Sequence, residues 1–281
     1  MITNETYREV LKWASSFLEG AGQEGIAAEI LLRERLEWSK TDFILHLDQE
    51  ISTEIKKQWV MDVKNHSKGI PIQYLLGYEW FYGYKFKVNS DTLIPRPETE
   101  EIVDKFLKSV PEKPLKIVDI GTGTGVIAIT IKKERPQDDV TAIDLSDKAL
   151  LVAKENGENL KANVRFLLGD LTDPVKSEKF DIVISNPPYI GRDEKKYMDD
   201  SVLKYEPELA LFAENEGLAV YQRLAKEIPF ILKPNGQLFL EIGFKQGNIV
   251  KTLFQKAFPT ADVTIEKDMS GQDRLLKVKC N

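Results

Sequence analysis

Asn186-Pro187-Pro188-Tyr189 follows the apolar run Phe180-Asp181-Ile182-Val183-Ile184-Ser185, and the chain earlier carries Asp119-Ile120-Gly121-Thr122-Gly123-Thr124-Gly125. The first motif suits chemistry on a planar nitrogen. An amide-type nitrogen is a poor nucleophile because its lone pair is delocalised into the neighbouring carbonyl. Two acceptors on its two N–H groups, the Asn186 side-chain oxygen and the Pro187 carbonyl, would fix the amino group and stabilise the positive charge that grows as it attacks an electrophile. Consecutive prolines stiffen the turn and carry no N–H, so the rim offers acceptors without competing donors. The Tyr189 ring can lie against the planar group and face the developing charge. Asn186, Pro187 and Tyr189 are the expected catalytic residues, and Asn186, Pro187, Pro188 and Tyr189 together the expected acceptor clamp.

The glycine motif supplies the expected second reactant. A strand ending in Asp119 that turns through Gly121, Gly123 and Gly125 into a helix presents backbone N–H groups and allows close approach of a bulky charged ligand. The dinucleotide fingerprint Gly-x-Gly-x-x-Gly is not met, because the third glycine comes one residue early and Val126 occupies its place. S-adenosylmethionine fits better, and its sulfonium methyl would be the electrophile. Asp144 stands 23 residues after Gly121, where a carboxylate at the next strand's tip can accept both ribose hydroxyls. Asp170, ending a third strand, is expected to accept from an adenine amino group, unless either acid merely caps the helix that follows it. Asp119, Gly121, Thr122, Gly123, Thr124 and Gly125 complete the expected cofactor loop. No strong base is needed, since a methylated amide nitrogen is acidic enough to lose its proton to water. Positioning alone supplies up to about 7–11 kcal/mol of barrier reduction.

These motifs need a scaffold. Stretches 116–120, 140–143, 164–168, 181–185 and 237–242 read as strands alternating with helices, which implies a parallel, doubly wound α/β sheet covered on both faces. Two further stretches, 262–265 and 275–278, are separated by Ser270-Gly271-Gln272-Asp273 and suggest an antiparallel ending to a seven-stranded sheet. The first 70 residues are helical in period, with Tyr7, Val10, Leu11, Ala14, Phe17 and Leu18 on one face, a second striped stretch over 26–36, and a third after Ser52. Between these regions Tyr84, Phe86 and Val88 alternate with polar residues, as in a hairpin. The expected division is a helical bundle over 1–73, a connector over 74–97 and the α/β domain over 98–281. Pro97 is expected at a first helical turn, with Arg96 and Glu98 as an ordinary ion pair there, and Trp80, Phe81 and Tyr82 as connector packing.

Composition excludes several classes. One cysteine, Cys280, and two histidines, His46 and His66, leave no disulfide framework and no His/Cys metal set, so no metal is expected. The net charge is −6, and residues 1–80 hold nine basic against thirteen acidic side chains. Direct nucleic-acid binding is therefore not expected, and a protein partner suits the extra domain better. With no apolar run near the ~18 residues of a membrane span and no basic start to a leader, a cytoplasmic enzyme without membrane contact is expected.

The clamp alone fits adenine N6, guanine N2 or glutamine N5. Beyond it, the chain carries Pro71-Ile72-Gln73-Tyr74-Leu75-Leu76-Gly77, Trp80-Phe81-Tyr82-Gly83, Leu93-Ile94-Pro95-Arg96-Pro97-Glu98-Thr99-Glu100, Asn186-Pro187-Pro188-Tyr189-Ile190 and Tyr205-Glu206-Pro207. Spread over most of its length, these segments resemble the bacterial release-factor glutamine methyltransferases. That resemblance implies N5-methylation of the glutamine in the Gly-Gly-Gln motif of class I peptide release factors, with S-adenosylhomocysteine as by-product. It implies cofactor contacts from Gly121 to Gly125, Asp144, Asp170 or its neighbour Leu171, and Asn186, and a helical amino-terminal domain that helps hold the release factor. A monomer is expected. The sister family acting on a ribosomal protein is expected to read Pro-Arg-Ser-Pro where this chain has Arg96-Pro97-Glu98-Thr99-Glu100. A DNA adenine methyltransferase should add a basic target-reading region, and a decayed adaptor should have lost loop glycines or the clamp asparagine; neither holds here.

Overall fold

A computed structural model describes residues 5–281. The described residues divide into two compact units, those up to Tyr78 with Asp199–Tyr205, and Glu79–Met198 with Glu206–Asn281. In the first unit, α1 (Tyr7–Gly20), α2 (Ile26–Leu36), α3 (Lys40–His46), α4 (Thr53–His66) and α5 (Ile72–Leu76) form a helical bundle. Thr6 with Glu9 and Ser39 with Asp42 make reciprocal capping boxes that start α1 and α3, and Ser52 caps α4. Val10, Ala14, Leu18, Leu31, Leu32, Trp59 and Val63 fill its core. The Trp59 indole donates to the Ala28 carbonyl at 3.0 Å, which removes the cost of burying a lone N–H. Phe17, expected on the buried face, is instead exposed and stacks on Trp13 at 5.5 Å. Its position drifts off the stripe because Val10, Ala14 and Leu18 already fill the seam.

The second unit opens with a hairpin, β1 (Tyr78–Phe81) and β2 (Tyr84–Lys87). Its two-residue turn, Tyr82 and Gly83, has φ of 51° and 77°, the paired left-handed conformation that matches strand twist. Phe81 and Phe86 meet edge to face at 6.0 Å and are buried, whereas Trp80 is half exposed. The sheet follows: α6 (Pro97–Ser109), β3 (Lys116–Ile120), α7 (Val126–Glu134), β4 (Asp139–Asp144), α8 (Asp147–Asn159), β5 (Arg165–Leu168), β6 (Phe180–Ser185), α9 (Asp200–Tyr205), α10 (Glu208–Leu211), α11 (Ala219–Ile231), β7 (Leu232–Glu241), α12 (Gly247–Ala257), β8 (Asp262–Lys267) and β9 (Asp273–Lys279). Of these, α9 belongs to the first unit, where the Tyr205 hydroxyl donates to the Lys68 carbonyl at 3.1 Å.

The seven strands lie in the order β5-β4-β3-β6-β7-β9-β8, parallel except for β9, which runs antiparallel to both its neighbours. Alternate residues of one strand feed opposite faces. Val118, Ile120, Val183, Leu238 and Leu240 pack with Tyr221, Leu224 and Phe254 on one face, and Ile117, Ile182, Ile184 and Phe239 with Val103, Phe106, Ile127 and Ile131 on the other. Strand order reverses between β3 and β6, whose outgoing connections lead to opposite sides, and ligands of open α/β sheets bind beyond strand carboxyl ends at such a point. Register places Ile120 beside Ser185 and Ser185 beside Leu240. The next residues along the three strands, Gly121, Asn186 and Glu241, therefore emerge side by side.

Candidate active site

Beyond those strand ends lies a cavity of about 270 Å³, lined by residues of the second unit. The turn from β3 into α7 forms one wall. Gly121, Gly123 and Gly125 all have positive φ (77°, 55° and 84°), which L side chains adopt at a cost. At Gly125 space is also restrictive: a Cβ would come within 2.7 Å of Ile129 Cδ1. The turn is tied to β4 by the N–H groups of Gly121 and Thr122, which both donate to the Ile143 carbonyl at 2.9 Å. Asn156, buried on α8, donates to the carbonyls of Thr124 at 2.9 Å and Lys87 at 3.0 Å and accepts from Lys87 N–H.

Asp119 and Asp144 differ in role. Asp119 is fully buried behind the turn and does not line the cavity; its Oδ2 accepts from the Thr122 hydroxyl at 2.6 Å. Burial pushes its carboxyl up to about 7, against the opposing pull of Thr122 and the Ala128 N–H. Asp144 does line the cavity, and its two oxygens accept one backbone N–H each, Gly123 at 2.7 Å and Ser146 at 2.8 Å. Each oxygen keeps a further lone pair for a ligand hydroxyl. Burial raises its pKa, with those N–H groups opposing.

Asp170 and Leu171 stand at the far wall. Leu171 holds φ at 48°, a conformation rare for a non-glycine residue and concentrated at ligand-contacting loops. Both Asp170 oxygens accept from Arg223 Nη1 at 2.9 Å, and Arg223 also lines the cavity. A ligand amino group reaching Asp170 would thus share it with a guanidinium.

At the end of β6, the Ser185 hydroxyl donates to the Ile120 carbonyl at 2.6 Å, locking the clamp strand to the glycine strand. Asn186 Nδ2 donates to the Thr99 hydroxyl at 3.1 Å, and that hydroxyl donates to Glu241 Oε2 at 2.6 Å. The Tyr189 hydroxyl donates to the other carboxylate oxygen of Glu241 at 3.3 Å. Glu241 is 2% exposed, and burial pushes it up to about 7, opposed by the Thr99 hydroxyl and Arg274. Burial likewise raises the Tyr189 phenol, with Glu241 adding to it. Gln246 holds the turn from outside, its Nε2 donating to the Tyr189 carbonyl at 2.9 Å while its Oε1 accepts from Gly243 N–H at 3.2 Å.

The segment ahead of α6 closes the cavity with Leu93, Pro95, Arg96 and Thr99. Arg96 does not form the helix-start pair with Glu98 expected from the sequence. Its guanidinium donates to Glu206 Oε1 at 2.5 Å, and the other oxygen of Glu206 accepts from the Ile94 N–H at 3.1 Å. One carboxylate from Tyr205-Glu206-Pro207 therefore pins the whole Leu93–Pro97 strip, a pairing over 110 residues that local spacing does not reveal. Pro97 sits at the first helical turn, as expected.

Gly121, Thr122, Gly123, Thr124, Asp144, Asp170, Leu171, Asn186 and Pro188 thus share one cavity. Pro187 is buried and Tyr189 partly buried, and neither lines it, while Gly125 starts α7 behind it. Thr99, Glu206, Arg223, Glu241 and Gln246 are the residues that sequence reasoning missed. For Thr99 and Glu206 the signal was their place inside the Arg-Pro-Glu-Thr-Glu and Tyr-Glu-Pro segments.

Comparison with known proteins fits this arrangement. Residues 9–77 match the PrmC N-terminal domain family and residues 101–204 the methyltransferase small domain family. A release factor glutamine methyltransferase from Enterococcus faecalis is 51% identical over 96% of this chain and 97% of its own length. One from Bacillus subtilis is 42% identical over 97% of each chain. Among solved structures, a methyltransferase from Pyrococcus furiosus superposes with a TM-score of 0.54 at 20% identity, covering 81% of this chain and 98% of that one. At that identity the likeness speaks to the fold alone, a methyltransferase sheet.

Proposed function

This chain belongs to the release factor glutamine methyltransferase family, and from that premise we propose that it methylates the N5 amide nitrogen of the glutamine in the Gly-Gly-Gln motif of class I peptide release factors, with S-adenosylmethionine as donor and S-adenosylhomocysteine as product. The observation that carries the reading is the cavity in which the glycine turn, Asp144 and Asn186 meet, with the Asn186 amide nitrogen donating to Thr99 and its oxygen left to accept from the substrate's N–H. Support for the donor comes from the residues themselves: spare lone pairs on Asp144 for a ribose diol, Leu145 and Leu171 for a flat base, and side-chain-free backbone at Gly121 and Gly123.

The donor's contribution is an electrophilic methyl on a sulfonium. Asn186 Oδ1 accepts one N–H hydrogen of the substrate glutamine, and the carbonyl of Pro187, a residue that does not itself line the cavity, is assigned the other, orienting the lone pair and stabilising the charge that appears on nitrogen. A nitrogen–carbon bond forms as the sulfur–carbon bond breaks, and one amide proton leaves to water. Holding the acceptor in register is the largest contribution these residues make.

The helical unit, acidic rather than basic, is assigned to gripping the release factor, with no nucleic-acid contact and a monomeric enzyme working in the cytoplasm, where release factors act. Among the described residues no helix is long and apolar enough to cross a membrane. The division into a bundle over 1–73, a connector and a catalytic domain from 98 belongs to the same proposal. The test is incubation of the purified chain with labelled donor and an unmodified release factor, followed by peptide mass spectrometry. A methyl on the Gly-Gly-Gln glutamine, absent from a Gln→Ala substrate, is expected; no transfer alongside an active control enzyme overturns the assignment.

A further inference from the structure

We infer that Thr99 and Glu241 are positioning residues that fix which end of the Asn186 carboxamide faces the methyl acceptor. The inference rests on the function proposed above for Asn186, but its geometry stands apart from that function. A carboxamide has an acceptor end and a donor end of nearly equal shape, so only its hydrogen-bond partners decide how it points. Thr99 is such a partner and is itself ambiguous, since a hydroxyl can donate or accept. Glu241 removes the ambiguity. An ionised carboxylate is an acceptor only, so it takes the Thr99 hydroxyl hydrogen at 2.6 Å and the Tyr189 phenol hydrogen at 3.3 Å. Thr99 then has lone pairs alone to offer, and the group that meets them at 3.1 Å must be the Asn186 NH₂. Asn186 Oδ1 is left facing the cavity, as an acceptor for the substrate amide.

The four groups come from three elements. Thr99 stands on α6, Glu241 ends β7, and Asn186 and Tyr189 follow β6. Thr99 is 3% exposed and Glu241 2%. The charged and titratable groups acting on Glu241 are Arg274 of β9, Tyr189 and Glu98 of α6, with Tyr221 of α11 donating to the Glu241 main-chain carbonyl at 3.1 Å. A proton on Glu241 would reverse the relay: the carboxyl can donate to Thr99, and the Thr99 hydrogen becomes free to meet Asn186 Oδ1, turning the amide. The active orientation therefore requires the ionised form and is lost as pH falls through about 7.

The experiment compares the wild-type chain with Thr99→Val, Thr99→Ser and Glu241→Gln, measuring kcat, KM for the release factor and donor affinity by calorimetry. Thr99→Val, nearly isosteric, is expected to lower kcat by about 10- to 100-fold, the size of one misdirected hydrogen bond in a transition state. Donor affinity should stay near wild type, the thermal midpoint should fall because buried Glu241 loses a donor, and Thr99→Ser should restore both midpoint and turnover. Glu241→Gln should abolish the acid limb of the kcat profile. Wild-type turnover in Thr99→Val, or an unchanged acid limb in Glu241→Gln, overturns the inference. A second readout is independent of turnover: the Asn186 side-chain NH₂ resonance, assigned by its loss in Asn186→Asp. Slow hydrogen exchange in the wild type that becomes fast in Thr99→Val supports the relay even if no release factor is methylated, in which case only the functional proposal falls. Exchange at the rate of a free carboxamide in the wild type overturns the relay whatever the substrate.

Discussion

Replacing Asp119 by Asn should make the protein more stable, and the gain should grow with pH. Asp119 is fully buried, and burial raises its carboxyl from an ordinary 3.8 to about 7. The sign follows from proton counting. Between those two values the folded chain holds a proton that the unfolded chain has lost, so stability declines as pH rises and levels off above about 7. At about pH 5.5 the folded wild type is protonated there and resembles the Asn variant, each offering an oxygen to the Thr122 hydroxyl in the glycine turn. By about pH 8 the wild type carries a buried charge, and 1.36 kcal/mol per pKa unit makes the added difference about 2 kcal/mol. Urea unfolding of both proteins at the two pH values measures it directly, without donor or substrate. A wild-type-to-variant gap that stays constant between them would refute the reasoning, because it would mean that Asp119 is ionised throughout or that water reaches it.

Asn186→Ala should lower kcat by about 10²–10³-fold with a far smaller change in donor affinity, since it removes an acceptor aligned for the transition state; equal losses in kinetics and calorimetry would make Asn186 chiefly a donor-binding residue. Gly125→Ala places a Cβ 2.7 Å from Ile129 Cδ1 at a φ of 84°, and a loss of about 1–3 kcal/mol in unfolding free energy together with weakened donor binding is expected. Glu206→Ala strands the Ile94 N–H and frees Arg96; because Arg96 is a third exposed, a cost of about 2–3 kcal/mol is expected, read by urea unfolding.

The sheet was legible because each parallel strand is a short apolar run bounded by turn residues, and the glycine turn and clamp announce the ends of two of them. Boundaries were less so. β7 begins at Leu232, five residues before the stretch read from Gln237, because Lys233-Pro234-Asn235-Gly236 has the composition of a turn. The structure keeps those residues in the strand through an irregularity that shifts register between Phe180 and Ile182 of the neighbouring β6. The motifs themselves gave the cavity's lining residues but not their supports. Thr99 and Glu241 are 142 positions apart, Asn186 and Thr99 87, and Tyr189 and Glu241 52. No periodicity within a single element links such positions. In the sequence Glu241 is only a charge at a strand end, where an exposed side chain would be the ordinary expectation. What makes it exceptional is the sheet order, which sets β7 directly beside the clamp strand and roofs it with α6.

That placement explains why a carboxylate rather than a neutral group stands beneath the clamp. A buried carboxylate with its pKa raised to about 7 costs folding free energy at neutral pH, and a glutamine in its place would be cheaper to bury. A glutamine, however, presents a donor and an acceptor, and so could meet Thr99 and Tyr189 in either sense. Both hydroxyls could then reverse, and with them the amide of Asn186. Only a group that accepts at both oxygens forces both hydroxyls to point inward and leaves one outcome for the carboxamide above them. The energy lost by burying the charge is thus tied to a single orientation of Asn186, and the two should vary together. A substitution at Glu241 that raises the unfolding free energy at about pH 8 should lower methyl transfer, whereas the stabilising change at Asp119, on the far side of β6, should leave the Asn186 resonance where it was.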